Sequence, residues 1–324
     1  MAKDPSPVKR RFPITRRDVK TVALILILFP LAWLVPERHW RGLCGLLTRI
    51  IGRRARRDVA ALADTVADTF DGLSHDDAVG LVQRWRANGA EGRLQYFREY
   101  RPGGWRSRIE VRGLDHVEAA RTQGQGVILW VVYQVFASLV VKKGLSQAGL
   151  AVHHVSSPAH GLSNTWLGLR YLNRIITRIE DRYLAERIPY HQGRPAKAVS
   201  AMQRRLRDRL VLSITAGTGR RSTVALPVVG GRLNLPISLG PLKLAQRTGA
   251  VLLPCYIDRA DDGTFTVHIT PPLDLEAADD ADEAAATALR ELSDRLTPVI
   301  EAQPTMWNFW RRGRDLLDGG GSGV

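Results

Sequence analysis

Gly126-Val127-Ile128-Leu129-Trp130-Val131-Val132 is an unbroken apolar run of strand length. Such a run offers no polar face to water, which predicts a strand covered on both sides. Residues 137–148 follow with a helical pattern, and Gly149 stands where a helix stops. Residues 150–155 read as the next strand. The alternation continues with helices over 166–178, 196–207, 239–247 and 281–302, and strands over 210–216, 224–229, 250–257 and 265–269. Strands that alternate with helices predict an α/β fold: a single αβα domain on a mixed, largely parallel sheet. Upstream, residues 109–111 form a short strand and 114–121 a short helix. Residues 58–70 carry Val59, Leu62, Ala63, Val66 and Phe70 at helical spacing, and Ser74 caps a second helix at His75-Asp76-Asp77.

The composition fits a folded globular chain: 324 residues, 44% hydrophobic and 24% charged. Cys44 and Cys255 are too few and too far apart for a disulfide framework, and no cysteine cluster supports a metal, so no metal site is expected. The charge is uneven. Fourteen basic and three acidic residues fall in 1–57, so that segment carries +11 of the total +15. Basic excess points to a polyanion, either nucleic acid or an anionic membrane. Residues 22–35 decide between them. They are fourteen apolar residues without a charge, interrupted by Pro30 and flanked by arginines, with Trp33 and Trp40 suited to the headgroup level. No DNA or RNA recognition motif is present, and no nucleic-acid partner is expected.

A spanning helix needs roughly 20 apolar residues, so the run reads as an N-terminal membrane-contacting helix on anionic lipids. Three other readings compete. A cleaved signal peptide lacks its small-residue cleavage site, because Pro36-Glu37-Arg38-His39-Trp40 follows the run. A twin-arginine export signal at Arg16-Arg17 has imperfect spacing. A buried helix in a soluble protein is the third. The chain then divides into a basic arm (1–20), an anchoring segment (21–57), the α/β domain (58–312) and a glycine-rich tail (313–324).

Four stretches together resemble the bacterial lipid A biosynthesis acyltransferase family, within the wider lysophospholipid acyltransferase superfamily. One is the apolar, basic-flanked amino-terminal segment. The second is Gly126-Val127-Ile128-Leu129 running into a strand-to-helix turn. The third and most specific runs from Gly219-Arg220-Arg221 through Val224–Val229 and Gly230 to Thr248-Gly249-Ala250 and Pro254. The fourth is Met306-Trp307 with Arg311-Arg312. The resemblance implies transfer of a fatty acyl chain from acyl carrier protein or coenzyme A to a lipid or glycolipid hydroxyl. It implies no bound cofactor beyond that donor, and a place on the cytoplasmic face of the bacterial inner membrane, peripheral or N-terminally anchored. It further implies a phosphate held by Arg220 and Arg221, with Gly219 and Gly230 for close backbone approach or for turns.

The family also implies a His-x4-Asp/Glu pair after the first core strand, in which a neutral imidazole takes the proton of the attacking hydroxyl and the carboxylate orients it. Here Tyr133 stands at the histidine position and Ser138 at the acid position. A phenol is mostly protonated at neutral pH and is a poor base. No other histidine of the chain is followed five residues later by Asp or Glu. Two functions stay open: an acyltransferase with atypical catalytic residues, and an inactive acyltransferase-fold partner subunit that binds lipid or carrier protein in envelope lipid or polysaccharide synthesis. His153 and His154, at a predicted strand end, are candidates for a displaced base; His160 and His191 have less to recommend them. Arg204, Arg205, Arg207 and Arg209 read as a solvated face or as a dock for an acidic carrier. Trp307 and Trp310 read as core or membrane-interface aromatics.

Overall fold

The computed structural model describes residues 14–52, 56–157, 160–191, 194–216, 223–275 and 281–317. Four helices open the chain: α1 (Arg16–Leu34), α2 (Trp40–Gly52), α3 (Arg56–Thr69) and α4 (His75–Arg98). Then come β1 (Ile109–Arg112), α5 (Leu114–Thr122), β2 (Val127–Val131), α6 (Ala137–Gln147) and β3 (Val152–Ser156). They are followed by α7 (Asn173–Asp181), β4 (Glu186–Pro189), α8 (Pro195–Arg207), β5 (Val211–Thr215), β6 (Thr223–Val228) and β7 (Leu233–Ser238). The series closes with α9 (Gly240–Thr248), β8 (Val251–Arg259), β9 (Phe265–Ile269) and α10 (Ala281–Ala302).

The main sheet has seven strands in the order β1-β9-β8-β2-β5-β3-β4. All neighbours run parallel except β8 and β9, as a mixed, largely parallel sheet requires. The apolar run that predicted a doubly covered strand is β2, at the centre, and all five of its residues are buried. Helix α6 lies across β1, β3, β8 and β9 with α7 beside it, whereas α5, α8 and α9 pack on β2, β4, β5 and β8. Strands β6 and β7 form a separate antiparallel hairpin.

Helix α4 packs against α1, α2 and α3 and carries this helical cap. Ser74 caps it as the sequence predicts, accepting the Asp77 N–H at 3.1 Å. Helix α1 turns Leu28 and Ala32 into the core and leaves Val19, Leu26, Ile27 and Leu34 exposed along one side. Among the described residues, no helix is long and apolar enough to cross a membrane. Trp40 corrects one expectation. It is 1% exposed, donates its indole N–H to Val35 O at 3.1 Å and lies under the Arg98 guanidinium. It stitches the α1–α2 turn to α4 and does not face outward; Trp33 likewise donates to Phe97 O.

Three features were not legible in the residue pattern. The helix expected over 166–178 is present, but it contains a π-helical turn, Gly168–Leu172, that leads into α7. Gly168 fits there because a Cβ would stand 2.4 Å from that of Ser163. Strand β4 is a polar sheet edge without apolar alternation, and β7 is interrupted by Pro236, which a two-stranded hairpin accepts.

Gly126, just before β2, has no room for a side chain: a Cβ would lie 2.4 Å from the Leu206 carbonyl oxygen of α8. Gly126→Ala is expected to destabilise the fold by about 1–3 kcal/mol, read as a lower urea midpoint at unchanged slope. A midpoint equal to that of the native protein would show that α8 yields without cost.

Candidate functional site

The turn that follows β2 is held from two sides. Val132 N–H donates to Cys255 O at 2.8 Å, and the Gln134 amide makes two bonds to Ile257, at 2.8 and 2.7 Å. From the carboxy-terminal segment, Met306 O accepts Val135 N–H at 2.7 Å. Asn308 donates its backbone N–H to Tyr133 O and its side-chain amide to Gln134 O. The Met306-Trp307 stretch thus works as a clamp on the turn. Trp307 is fully buried and Trp310 nearly so, which makes both core aromatics. Gln134 and Asn308 were not singled out in the sequence; their only signal was adjacency to the two motifs that meet here.

Tyr133 is half-buried and forms a wall of two cavities. One is a groove of about 270 Å³ with apolar walls from Val132, Leu235, Ile237 and Phe309, and with Arg311 and Arg312 as its cations. The other holds about 10 Å³, close to one water sphere, and is lined by Ser138, Lys142, His154, Ser213 and Thr215 besides Tyr133. The fold therefore brings Tyr133 and Ser138 to one cavity. Among the described residues no carboxylate lines either space, and His154 is the one imidazole that does.

His154 and Ser213 face each other across neighbouring strands β3 and β5, with Nδ1 and Oγ 2.7 Å apart. Burial pushes the His154 pKa well below its ordinary value, and the nearby Lys142 cation pushes it further, so the ring is neutral. Behind this cavity lies Glu180, with no solvent exposure. The Tyr96 hydroxyl donates to it at 2.7 Å, His160 Nε2 and Arg187 Nη2 lie at 2.9 Å, and Lys142 Nζ lies at 3.4 Å. Burial alone would raise the Glu180 pKa. Lys142, His160 and Arg187 outweigh it and hold the carboxyl well below the usual range. Lys142 also donates to Ser138 O at 2.8 Å, so the network reaches the first turn of α6.

Gly219, Arg220 and Arg221 lie outside the described residues. Gly230 is in the β6–β7 turn with φ of +62°, and open space surrounds the position of a Cβ. His153 leaves the site: it pairs with Glu186 on β4, which Arg205 also grips at 2.7 and 3.1 Å. Arg205 is thus tied into a strand edge, while Arg204, Arg207 and Arg209 are exposed. Both cysteines are buried and free.

Residues 222–313 match the model of the bacterial lipid A biosynthesis acyltransferase family. That stretch, under a third of the chain, is similar to this family. The match begins just after Arg221 and takes in the hairpin, α9, β8 and the Met306–Arg312 clamp, whereas Tyr133 and Ser138 precede it. Over 215 residues the chain is 27% identical to the phosphatidylinositol mannoside acyltransferase of Mycobacterium tuberculosis. That alignment covers 61% of this chain, which spans 58% of the length of that relative. The crystal structure of the 1-acyl-sn-glycerophosphate acyltransferase of Thermotoga maritima is 13% identical and overlays 81% of this chain and 97% of its own, with a TM-score of 0.38.

Glu180→Gln leaves Lys142 buried beside a neutral amide, while Arg187 keeps Asp181. It is expected to destabilise by about 3–5 kcal/mol in urea unfolding at pH 7; a loss below 1 kcal/mol would show that the cluster tolerates neutralisation. His154 has a depressed folded pKa, so below about pH 6.5 the unfolded chain takes a proton that the fold refuses. This contribution is therefore full above that pH and declines on acidification. His154→Gln is expected to flatten the fall in the urea midpoint between pH 7 and 5. An unchanged profile would show that the imidazole binds protons alike in the folded and unfolded chain.

Proposed function

We propose that the chain is a peripheral membrane protein that binds an anionic lipid or glycolipid in the Tyr133 groove. There it moves a fatty acyl chain from an acyl carrier protein or coenzyme A thioester to a hydroxyl of that lipid. One observation carries the reading: at the carboxyl end of β2, apolar walls, two arginines and both positions of the family's catalytic pair converge. Open parallel sheets bind their ligands at such strand ends. Leu235, Ile237 and Phe309 suit an acyl chain, and the Arg311 and Arg312 guanidiniums suit a phosphate or carboxylate.

The base in this reading is His154, with Tyr133 between it and the groove. The acceptor oxygen attacks the thioester carbonyl carbon while its proton passes across the Tyr133 phenol to the neutral imidazole. The C–S bond then breaks, and the departing sulfur takes the proton from the imidazolium. Ser213 fixes the ring in place.

The exposed side of α1 supports the membrane part. Val19, Leu26, Ile27 and Leu34 form a bare apolar strip, and the basic excess of residues 1–57 suits an anionic leaflet, read as the cytoplasmic face of the inner membrane. A second reading has its own support. Neither Tyr133 nor Ser138 is a base–acid pair, and no described carboxylate lines the groove, which favours a lipid- or carrier-binding partner subunit without chemistry.

The test offers radiolabelled acyl-carrier thioester and a mixed lipid extract to the purified protein in nanodiscs. Native transfer is expected, reduced about 10²–10⁴-fold in His154→Gln and strongly in Arg312→Ala. Native transfer untouched by His154→Gln would remove that residue from the mechanism. No native transfer, with lipid still bound and activity gained by Tyr133→His/Ser138→Asp, would establish the partner-subunit reading.

A further inference from the structure

A cleft of about 630 Å³, larger than the Tyr133 groove, opens between α2, α4 and the end of β8. Three exposed arginines line it: Arg41 and Arg49 from α2, and Arg84 from α4. Among the described residues, Arg41 has only Asp261, 3.8 Å away and fully exposed, and neither Arg49 nor Arg84 has a carboxylate within ion-pair distance. The fourth arginine of the cleft, Arg259, is already held by both oxygens of Glu91. Three guanidiniums thus face one space with almost no internal counter-charge.

Helix α2 shows what that space adjoins. Arg41, Gly45, Thr48 and Arg49 recur at three- and four-residue spacing and share the side that lines the cleft. Trp40 and Cys44 are buried against α4 on one flank of that side. Leu46 and Ile50, 57% and 55% exposed, lie on the other. The same helix therefore sets an arginine row beside a bare apolar strip. A guanidinium fork matches phosphate oxygens two at a time, and an apolar strip next to it suits the acyl region just below a headgroup.

We propose that this cleft is a second lipid site, which binds the phosphate of an anionic phospholipid headgroup while Leu46 and Ile50 enter the acyl layer beside it. The site rests on the peripheral-membrane reading given above. It is separate from the Tyr133 groove but joined to it through Met306, which lines the cleft and whose carbonyl holds the Val135 N–H of the turn. A phospholipid seated here fixes the orientation of the domain on the bilayer, with the β2 turn beside the surface.

The test measures sedimentation of the full chain with phosphatidylglycerol/phosphatidylcholine vesicles. Arg49→Ala/Arg84→Ala is expected to weaken partitioning about tenfold or more. Arg204→Ala/Arg207→Ala, which removes the same charge from the exposed face of α8, is expected to leave it near the native value. Arg49→Lys/Arg84→Lys keeps the charge but loses the fork, and is expected to resemble the alanine pair. Native partitioning by either the alanine or the lysine pair would overturn the site and leave a diffuse basic surface. If the native protein ignores vesicles of every composition, the membrane reading fails. Calorimetric titration with monomeric dihexanoyl-phosphatidylglycerol then judges the cleft alone: binding lost in the alanine pair supports it, and no binding overturns it. Equally tight binding of a DNA oligonucleotide, lost in the same variants, would also overturn it by assigning the cleft to a different polyanion.

Discussion

A carboxylate without access to water must be paid for by its neighbours, and Glu180 sets the terms for the parts around it. Taking such a group out of water costs several kcal/mol, so each partner has to be in place. Those partners come from different parts of the chain: Tyr96 from α4, Lys142 from α6, Arg187 from β4, and His160 from the segment before α7. One charge thereby joins the helical cap to the sheet. Two further carboxylates of the α4 region repeat the device. Glu99 takes Lys143 and the Tyr183 hydroxyl, and Glu91 takes Arg259.

The same network holds the walls of the candidate site in place. Lys142 holds the first turn of α6 through the Ser138 carbonyl, and the Met306–Asn308 segment holds the turn before it. None of these contacts requires an imidazole at 133 or a carboxylate at 138. The hydrogen bonds that shape the cavity are therefore independent of which side chains stand at 133 and 138.

The elements that the sequence announced were those with a strong physical signature. The apolar run of β2, the Ser74 cap and the glycine stop after α6 each have a single cheap structural solution, and each is found. What stayed hidden depends on partners distant in sequence. The polar edge strand β4 is a strand because β3 pairs with it, and Trp40 is a core residue because Arg98 and Val35 meet it. The motif spacing points to Tyr133 and Ser138, and both line one cavity. The Ser213 partner of His154 could not be read from the sequence, because only the strand register sets 154 against 213.

That register has a consequence for the order of assembly. The central strand β2 is flanked by β5 and β8, and β1 pairs only with β9, so strands from the first half of the chain wait for strands from the second. The sheet cannot close until residues up to about 269 have left the ribosome. The helices α1 to α4 contact one another locally, although α3 and α4 also pack on the 304–316 segment. Non-local pairing of this kind is slow, and until it is complete the apolar β2 has no covering neighbours. During synthesis the nascent chain therefore carries a locally paired helical head and an unfinished sheet, and the apolar central strand is exposed in that interval.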